Sequence, residues 1–297
     1  MIVENSEAQF FDKTSRIAII GTGRVGGSLA LAFHKAGYPV VSLANRNVAS
    51  AKLLSDRLKG CTGYNSFQEA VESCNIAFIT TSDDAISSVT SSINWQPGQA
   101  VIHCSGATSI DIFSSIKNDG IFTGAFHPLQ AFSSVELGLK SIPGTTFGIE
   151  AYEPIKEYLF NLAKAIGGHP ITVTSKDRVL YHLSGVLMGN LLTGFIGVSG
   201  QLWEQFGYTR AQGIKALLPM AQAVLNNVHD SGIPDAVAGP YSRGDLGTIT
   251  KHIQALKHSE SEILQLYRAL ALATLPLCVE GGLAPDIANE IESVVAS

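Results

Sequence analysis

The pattern of hydrophobic positions divides the chain near residue 175. Before that point, short apolar runs alternate with segments whose apolar residues recur every three or four positions. The runs predict strands and the periodic segments predict helices. The predicted strands are Arg16–Ile20, Pro39–Ala44, Asn75–Thr80, Gln99–Cys104, Gly120–Phe126, Thr145–Glu150 and Pro170–Thr174. The predicted helices between them are Arg24–Lys35, Ala49–Leu58, Asp84–Ser92, Ile110–Lys117 and Pro154–Ile166.

After residue 175 the pattern is helical only. The predicted helices are Asp177–Phe206, Thr209–Ser231, Leu246–Lys257, Glu260–Val279 and Pro285–Val295. Strands that alternate with helices are typical of a parallel sheet with helices on both faces. We therefore predict an α/β fold: a doubly wound Rossmann sheet in residues 1–175, which begins with a polar arm at 1–15, followed by an all-α domain in residues 176–297.

A glycine motif joins the first predicted strand to the first helix. The segment Gly21-Thr22-Gly23-Arg24-Val25-Gly26 fits G-x-G-x-x-G in the strand-to-helix context that gives the pattern meaning. The first glycine permits a tight turn, the second lets the backbone approach a pyrophosphate, and the third lets the helix pack on the strand. The motif predicts a dinucleotide whose pyrophosphate lies at the helix N-terminus. The alternative is a glycine turn without a ligand.

The end of the second predicted strand indicates which dinucleotide binds. An NAD enzyme places Asp or Glu there for the ribose hydroxyls, whereas this chain has Asn45 and Arg46. A guanidinium matches a 2′-phosphate in charge and geometry. We predict NADP (NADPH), with Arg46 as the phosphate contact and Asn45 beside it. The alternatives are an ordinary solvated arginine and an enzyme that uses NAD. Thr81 and Ser82 follow the third strand, where they would border the ribose and nicotinamide.

Two residues follow later strands, where catalytic groups are expected. Ser105 comes after the strand Gln99–Cys104 and can hydrogen-bond substrate or cofactor. His127 comes after the next strand, and imidazole is the side chain best suited to exchange a proton near neutral pH. The alternative for His127 is a turn histidine bonded to the backbone.

Three further polar residues lie in the helical part or its loops. His182 and Asn190 are polar positions in an apolar helix pattern, and we expect Asn190 to be buried and to need a partner, either a ligand or a neighbouring helix. Arg243 lies in the glycine-rich loop Gly232–Gly247, where a guanidinium can bind a substrate carboxylate. Exposure to solvent is the alternative for Arg243.

Composition narrows the class of protein. The chain is 45% hydrophobic and 15% charged, with a net charge of -5, so we expect a folded protein that does not bind nucleic acid. Its four cysteines lack metal-ligand spacing. The polar first residues lack the apolar core of a signal peptide, and no uninterrupted apolar run reaches the roughly 18 residues of a membrane span. We expect a cytoplasmic protein without a membrane partner.

These motifs together resemble a family of predicted oxidoreductases in which a Rossmann-like domain precedes an uncharacterised helical domain. The resemblance covers residues 16 to about 256. It rests on the glycine motif, His103-Cys104-Ser105-Gly106-Ala107, Phe126-His127-Pro128-Leu129-Gln130, Tyr181-His182 with Asn190, and Gly239-Pro240 with Arg243-Gly244-Asp245 and His252. More distantly the chain is similar to prephenate dehydrogenase, ketopantoate reductase and pyrroline-5-carboxylate reductase. The arrangement of Ser105 and His127 is similar to a catalytic pair in prephenate dehydrogenases.

The resemblance implies an NADP-dependent oxidoreductase that acts on a small carbonyl compound, such as a ketopantoate-like 2-oxo acid, or on an imine. In that interpretation His127 and Ser105 handle the proton. A non-catalytic NADP-binding sensor or scaffold is the alternative from another class. We also expect a homodimer through the helical domain, because the glycines of the predicted helix Asp177–Phe206 permit close approach of a second helix.

Overall fold

An eight-stranded sheet organises the first part of the chain. The computed structural model describes residues 11–116, 120–259 and 261–297. The spatial order of the strands is β3-β2-β1-β4-β5-β6-β7-β8, and all neighbours are parallel except β6 and β7. The strands are Ile17–Ile20 (β1), Val40–Ala44 (β2), Thr62–Tyr64 (β3), Ile76–Ile79 (β4), Ala100–His103 (β5), Phe122–Pro128 (β6), Thr146–Ala151 (β7) and His169–Thr172 (β8). The order reverses between β1 and β4, and their carboxyl ends therefore open the crevice where such sheets bind ligands.

Helices connect the strands and make up all the regular structure described after β8. The helices before residue 191 are Arg24–Lys35 (α1), Val48–Ser55 (α2), Phe67–Val71 (α3), Asp83–Ser91 (α4), Val135–Ser141 (α5), Ile155–Ala165 (α6) and Arg178–Val186 (α7). Those after it are Leu192–Gln201 (α8), Arg210–Ser231 (α9), Leu246–Ser259 (α10), Ser261–Glu280 (α11) and Pro285–Ala296 (α12). The predicted Rossmann sheet followed by an all-α region is confirmed.

The core explains why the strands are continuous apolar runs. All four residues of β1 are fully buried, with Ile17 and Ile19 in the cluster on one face and Ala18 and Ile20 in the cluster on the other. Successive side chains of a strand point to opposite faces, and both faces of a parallel sheet are covered. In the helical part a separate cluster forms between α10, α11 and α12.

Several elements differ from the predictions. The short β3, α3 and α5 were not predicted, because three to seven residues contain too little periodicity. The predicted helix Ile110–Lys117 contains only a 3-10 turn at Ile110–Phe113 among its described residues, and Lys117 lies outside them. The predicted helix Asp177–Phe206 is interrupted by a π-helical turn at Leu187–Leu191 and ends in a 3-10 turn at Leu202–Phe206.

Two details differ from the expectations about strand direction and the polar arm. The β6–β7 pair is antiparallel, a feature that the hydrophobic pattern does not encode. Residues 1–10 of the predicted arm lie outside the described part. Phe11, assigned to the arm, is buried in the core and packs edge-on against Phe122 with ring centroids 5.2 Å apart.

The chain divides into two compact units, of which the first ends at Leu191 and the second begins at Leu192. The change from α/β to helical structure occurs between Thr172 and Arg178, near the predicted boundary at 175. Helix α7 therefore packs within the first unit. The boundary between functional domains stays a prediction.

Two helical stretches, Arg178–Phe206 and Glu262–Glu280, are long and apolar enough to cross a membrane by length and composition alone. Core and interface helices of soluble proteins meet the same criterion, so this observation by itself is weak evidence for a membrane span.

A buried ion pair fixes α7 to the sheet. The Arg178 Nε donates to Glu150 Oε2 of β7 over 2.7 Å, and the Arg178 side chain is completely buried. Arg178 Nη1 also donates to the backbone oxygen of Ser105 at 3.2 Å, and the Ser175 hydroxyl donates to the same carboxylate. A buried charge that loses its partner is strongly destabilising, so this pair holds the start of α7 in one position.

We expect Arg178→Ala to lower the free energy of unfolding of the first unit by about 3–5 kcal/mol, because it leaves the Glu150 carboxylate buried and unpaired. Urea denaturation followed by Trp95 fluorescence, in a Trp203→Phe background, measures the effect. The matched control is Arg57→Ala, which removes an exposed pair with Glu136 and costs about 1 kcal/mol or less. Equal effects of the two substitutions would contradict the role of the buried pair.

Candidate functional site

The glycine loop lies between β1 and α1, and each of its glycines meets a different constraint. Gly21 has a φ of +104°, a backbone angle that residues with a side chain rarely adopt. A Cβ there would also lie 2.8 Å from the Thr80 backbone. A Cβ at Gly26 would lie 2.0 Å from the Gly21 oxygen. A Cβ at Gly23 would meet no described atom within 4 Å. The protein's own packing therefore requires Gly21 and Gly26, whereas Gly23 leaves space for a ligand.

The N-terminus of α1 opens beside this space. Gly23 is the N-cap of the helix, so no side chain caps the first N–H groups, and the first turn contains no acidic residue. The free N–H groups and the helix dipole favour an anion there. A cavity of about 460 Å³ lies against the loop, lined by Gly21, Gly23, Asn45, Arg46, Phe67, Thr80, Thr81, Ser82, Ala85, Ser88, Val89 and Ser92.

Four of the predicted cofactor residues line this cavity beside the glycines. Arg46 is exposed after the end of β2, where its guanidinium is available to a phosphate. Asn45 has a structural task as well: its Nδ2 donates to Thr22 Oγ1 at 2.8 Å, and its Oδ1 accepts from the Asn47 amide at 3.0 Å. Asn45 thus holds the glycine loop against the end of β2. Thr81 and Ser82, which follow β4, also line the cavity.

The remaining loop residues take different positions. Arg24 is exposed, and its Nη1 makes a long contact of 3.4 Å with the Phe132 oxygen. Val25 packs against the core of the sheet. Thr80, which sequence reasoning placed at a strand end only, donates its hydroxyl to the Gly21 oxygen at 2.6 Å and so fixes the turn. These residues together have the shape and donors that fit a dinucleotide phosphate.

The Ser105 hydroxyl is bonded to groups other than His127. It lies 2.7 Å from Asp83 Oδ2 and 2.9 Å from Thr108 Oγ1, and it accepts from the Thr108 amide at 3.1 Å. Ser105 is also buried. In this arrangement its side chain links the loop after β5 to the start of α4. A catalytic role for Ser105 stays a prediction.

His127 lies near the end of β6, in contact with two residues of α7. Its Nδ1 is 3.0 Å from the Tyr181 hydroxyl, and its ring centroid is 5.8 Å from that of His182. Gly106 makes room for both imidazoles, because a Cβ there would lie 2.3 Å from His182 Cδ2 and 2.7 Å from His127 Nε2. The structure therefore brings together two predicted site residues and Tyr181.

The imidazole of His127 is neutral at pH 7. Burial, followed by the charges of His182 and Arg178, lowers the pKa of His127 to about 3. Burial likewise raises the pKa of Tyr181 to about 12. Both groups are therefore uncharged near neutral pH, and His127 can present either a lone pair or an N–H, but no positive charge.

A second cavity, of about 420 Å³, has His127 and His182 in its wall. It is lined by His127, Leu129, Gln130, Ala131, His182, Ser184, Gly185, Val186, Met188, Gly189 and Asn190. Asn190 was expected to be buried in an apolar ridge, but it is exposed, because the apolar side chains around it, such as Leu187 and Leu191, are themselves exposed. Asn190 thus faces a cavity that can hold a small molecule.

Arg243 lies in the second unit and is exposed in the turn that precedes α10. Its predicted role stays a prediction. No role was predicted for Tyr181 alone, although one signal was present in the sequence. Gly148 is an isolated glycine inside a strand, a pattern that indicates close approach of another group, and Tyr181 is that group.

Two family models match the sequence. Residues 2–128 match a Rossmann-like domain, and residues 145–274 match a domain of unknown function, DUF2520. No curated protein matches the chain.

Several solved structures have the same fold. Protein TM1727 from Thermotoga maritima is 18% identical, with a TM-score of 0.68 over 94% of this chain and 98% of that one. A reductive aminase from Aspergillus terreus, in complex with NADPH and ethyl-5-oxohexanoate, is 16% identical, with a TM-score of 0.59 over 95% and 93% of the two chains. Pyrroline carboxylate reductase from Plasmodium falciparum, with NADP bound, is 13% identical, with a TM-score of 0.61 over 96% and 100%. At these identities the likeness shows a shared fold.

The strand order, the glycine loop and the two family matches agree with one another. Residues 2–128 thus resemble a Rossmann-like domain and residues 145–274 a DUF2520 domain, in the order that the sequence motifs indicated.

Proposed function

We propose that this protein is an NADP-dependent oxidoreductase that transfers a hydride to or from a small carbonyl or imine compound. The observation that carries the proposal is the cavity at the α1 N-terminus, where Gly23 leaves space for a ligand and Arg46 is exposed after β2. Two of the proteins with the same fold bind NADPH or NADP, which supports the same cofactor here.

In this proposal the first cavity binds the cofactor and the second binds the substrate. The amides at the start of α1 neutralise part of the pyrophosphate charge, and Arg46 binds the 2′-phosphate. When bound, NADPH supplies a hydride to the substrate carbon. His127 lies in the wall of the second cavity, where it exchanges a proton with the substrate heteroatom. A ketopantoate-like 2-oxo acid is one substrate of the proposed class.

We expect Arg46→Ala to weaken NADPH binding by about 10- to 100-fold and to leave NADH binding unchanged, because hydrogen bonds to charged groups contribute roughly 1.5–3 kcal/mol. Calorimetric titration with each nucleotide measures both affinities, and Arg57→Ala is the matched control. Equal loss for the two nucleotides would exclude a 2′-phosphate contact. Absence of heat with either nucleotide in the wild-type protein would overturn the cofactor proposal.

The proposed activity is tested by NADPH oxidation in the presence of a panel of 2-oxo acids, aldehydes, ketones and imines. We expect His127→Ala to lower the rate with an active substrate by about 10²- to 10⁴-fold, the range of general acid–base catalysis. His169→Ala, an exposed histidine of β8, is the control and should keep full activity. A protein that binds NADPH and oxidises it with no member of the panel would instead be a sensor or scaffold.

We also propose that the second unit forms a homodimer through α8 and α9. On α9 the side chains of Leu218, Met220, Val224, Leu225 and Val228 are 40–61% exposed, and at 100° per residue they cover an arc of roughly 160°. On α8 a Cβ at Gly194 or Gly197 would meet nothing within 4 Å. Apolar surface of this extent marks an interaction site.

A second copy of the chain is the partner that we propose for this surface. The two helices pack on each other through Gly200 and Gly213, where added Cβ atoms would lie 2.6 Å from Ile214 and Trp203. The outward faces of the pair therefore form one continuous patch. Two copies related by a two-fold axis would bury the same patch on each other. Such an interface requires no charge complementarity.

We expect the wild-type protein to elute with the mass of two chains in light-scattering chromatography, and Val224→Glu to elute as a monomer, because the introduced carboxylate would be desolvated at the interface. Leu53→Glu, on α2 at 74% exposure, is the control and should leave the mass unchanged. A monomeric wild-type protein at micromolar concentration would contradict the dimer.

A further inference from the structure

Tyr181 reaches His127 by crossing a strand that has no side chain in the way. The ring of Tyr181 lies against Gly148 of β7, where a Cβ would be 2.6 Å from both Cζ and the hydroxyl oxygen. Gly148 is the direct partner of His127 in the antiparallel β6–β7 ladder. Because position 148 is glycine, the phenol passes over β7 and its hydroxyl meets the imidazole on the next strand. The contact is thus built into the sheet and helix α7 together.

The hydroxyl of Tyr181 has one proton and two acceptors within reach. His127 Nδ1 lies 3.0 Å away, and the backbone oxygen of His127 lies 3.3 Å away. The nitrogen is closer, and an imidazole nitrogen is a stronger base than a peptide oxygen. If the Tyr181 O–H donates to Nδ1, the nearer and more basic acceptor, that nitrogen carries a lone pair. Since His127 is neutral, its single proton is on Nε2.

The Nε2 atom is on the side of the imidazole that faces Gly106. A Cβ at Gly106 would lie 2.7 Å from Nε2, so a larger residue there would block it. His127 and the neighbouring His182 both line the second cavity. An N–H at this position has space beside it for a ligand, and it needs an acceptor when water is excluded.

We propose that Tyr181 is a positioning residue that holds His127 in the Nε2–H tautomer, and that the resulting N–H donor makes the site select a carbonyl group over an iminium ion. The inference rests on the proposed oxidoreductase function and names the substrate class of that site. A carbonyl oxygen has lone pairs that accept from Nε2–H. An iminium nitrogen has no lone pair and carries a positive charge, so it cannot accept this hydrogen bond.

The proton balance of carbonyl reduction follows from the same contacts. When bound, the reduced nicotinamide supplies a hydride that forms the new C–H bond. The π electron pair of the carbonyl moves to its oxygen, and that oxygen takes the proton from His127 Nε2. The Tyr181 hydroxyl gives its proton to Nδ1, so the imidazole stays neutral. A proton from solvent then adds to Nε2 while the Nδ1 proton returns to the Tyr181 oxygen, so the reduction consumes one solvent proton and both groups regain their original protons.

The test is an NMR measurement that requires no substrate. Long-range proton–nitrogen correlation spectra of the full chain, labelled with ¹⁵N in its eight histidines, report the protonation of each ring nitrogen. The signals of His127 are those lost in His127→Gln. We expect one protonated nitrogen, Nε2, and one unprotonated nitrogen, Nδ1, in the wild-type protein. In Tyr181→Phe, both His127 nitrogens should shift towards the average of two tautomers, whereas Tyr208→Phe should leave them unchanged.

Kinetics provides a second readout once a substrate is known. We expect Tyr181→Phe to lower kcat for a carbonyl by about 10- to 100-fold with little change in KM, because the fixed N–H acts mainly on the charge that develops at the oxygen. The wild-type protein should reduce ketones or aldehydes faster than the corresponding preformed iminium ions.

The outcomes separate this inference from the proposed function. An Nδ1–H tautomer in the wild-type protein, or His127 signals that are the same in Tyr181→Phe, would overturn the role of Tyr181 even if NADPH is oxidised. Faster reduction of iminium ions would overturn the substrate class. The expected tautomer in a protein that turns over no substrate would leave the positioning role intact, and would contradict the oxidoreductase function together with the substrate class.

Discussion

The candidate active site depends on how the first turn of α7 is fixed to the sheet. Arg178 is completely buried, and its charge is balanced by Glu150 of β7. Such a pair tolerates little displacement, because either group alone would be a buried uncompensated charge. Tyr181 and His182 follow within little more than one turn of the helix. The ion pair therefore determines where both rings meet His127, although neither of its members lines the cavity that contains the two histidines.

Glycines then determine how closely the site can be assembled. Gly148 lets Tyr181 cross β7, and Gly106 leaves space for both imidazoles. The result is a half-buried, neutral His127 with a phenol on one nitrogen and space at the other. The chemistry of this site thus comes as much from the positions without side chains as from the polar groups. The same holds at the other cavity, where Gly21 and Gly26 satisfy packing and Gly23 leaves the α1 N-terminus accessible.

The two cavities present different chemistry to their ligands. At the end of β1 and β2, backbone amides, a helix dipole and the exposed Arg46 suit an anion. Beside His127 the wall contains imidazoles, amides and apolar groups, which suit hydrogen bonding to an uncharged group. An oxidoreductase of the proposed kind needs both, because the cofactor is recognised by its phosphates and the substrate by the atom that gains or loses a proton.

The sequence by itself determined the α/β order, the Rossmann sheet, the glycine loop and the helical character of the second part. These features depend on local periodicity and on backbone conformation, which neighbouring residues specify. It also identified His127, His182 and Asn190, which line one cavity. Only the tertiary structure decided the antiparallel β6–β7 pair, the exposure of Asn190, the bond of Ser105 to Asp83, and the contact of Tyr181 with His127. Those features join residues that are up to 54 positions apart, and their geometry follows from the packing of a helix on a sheet, which no local pattern encodes.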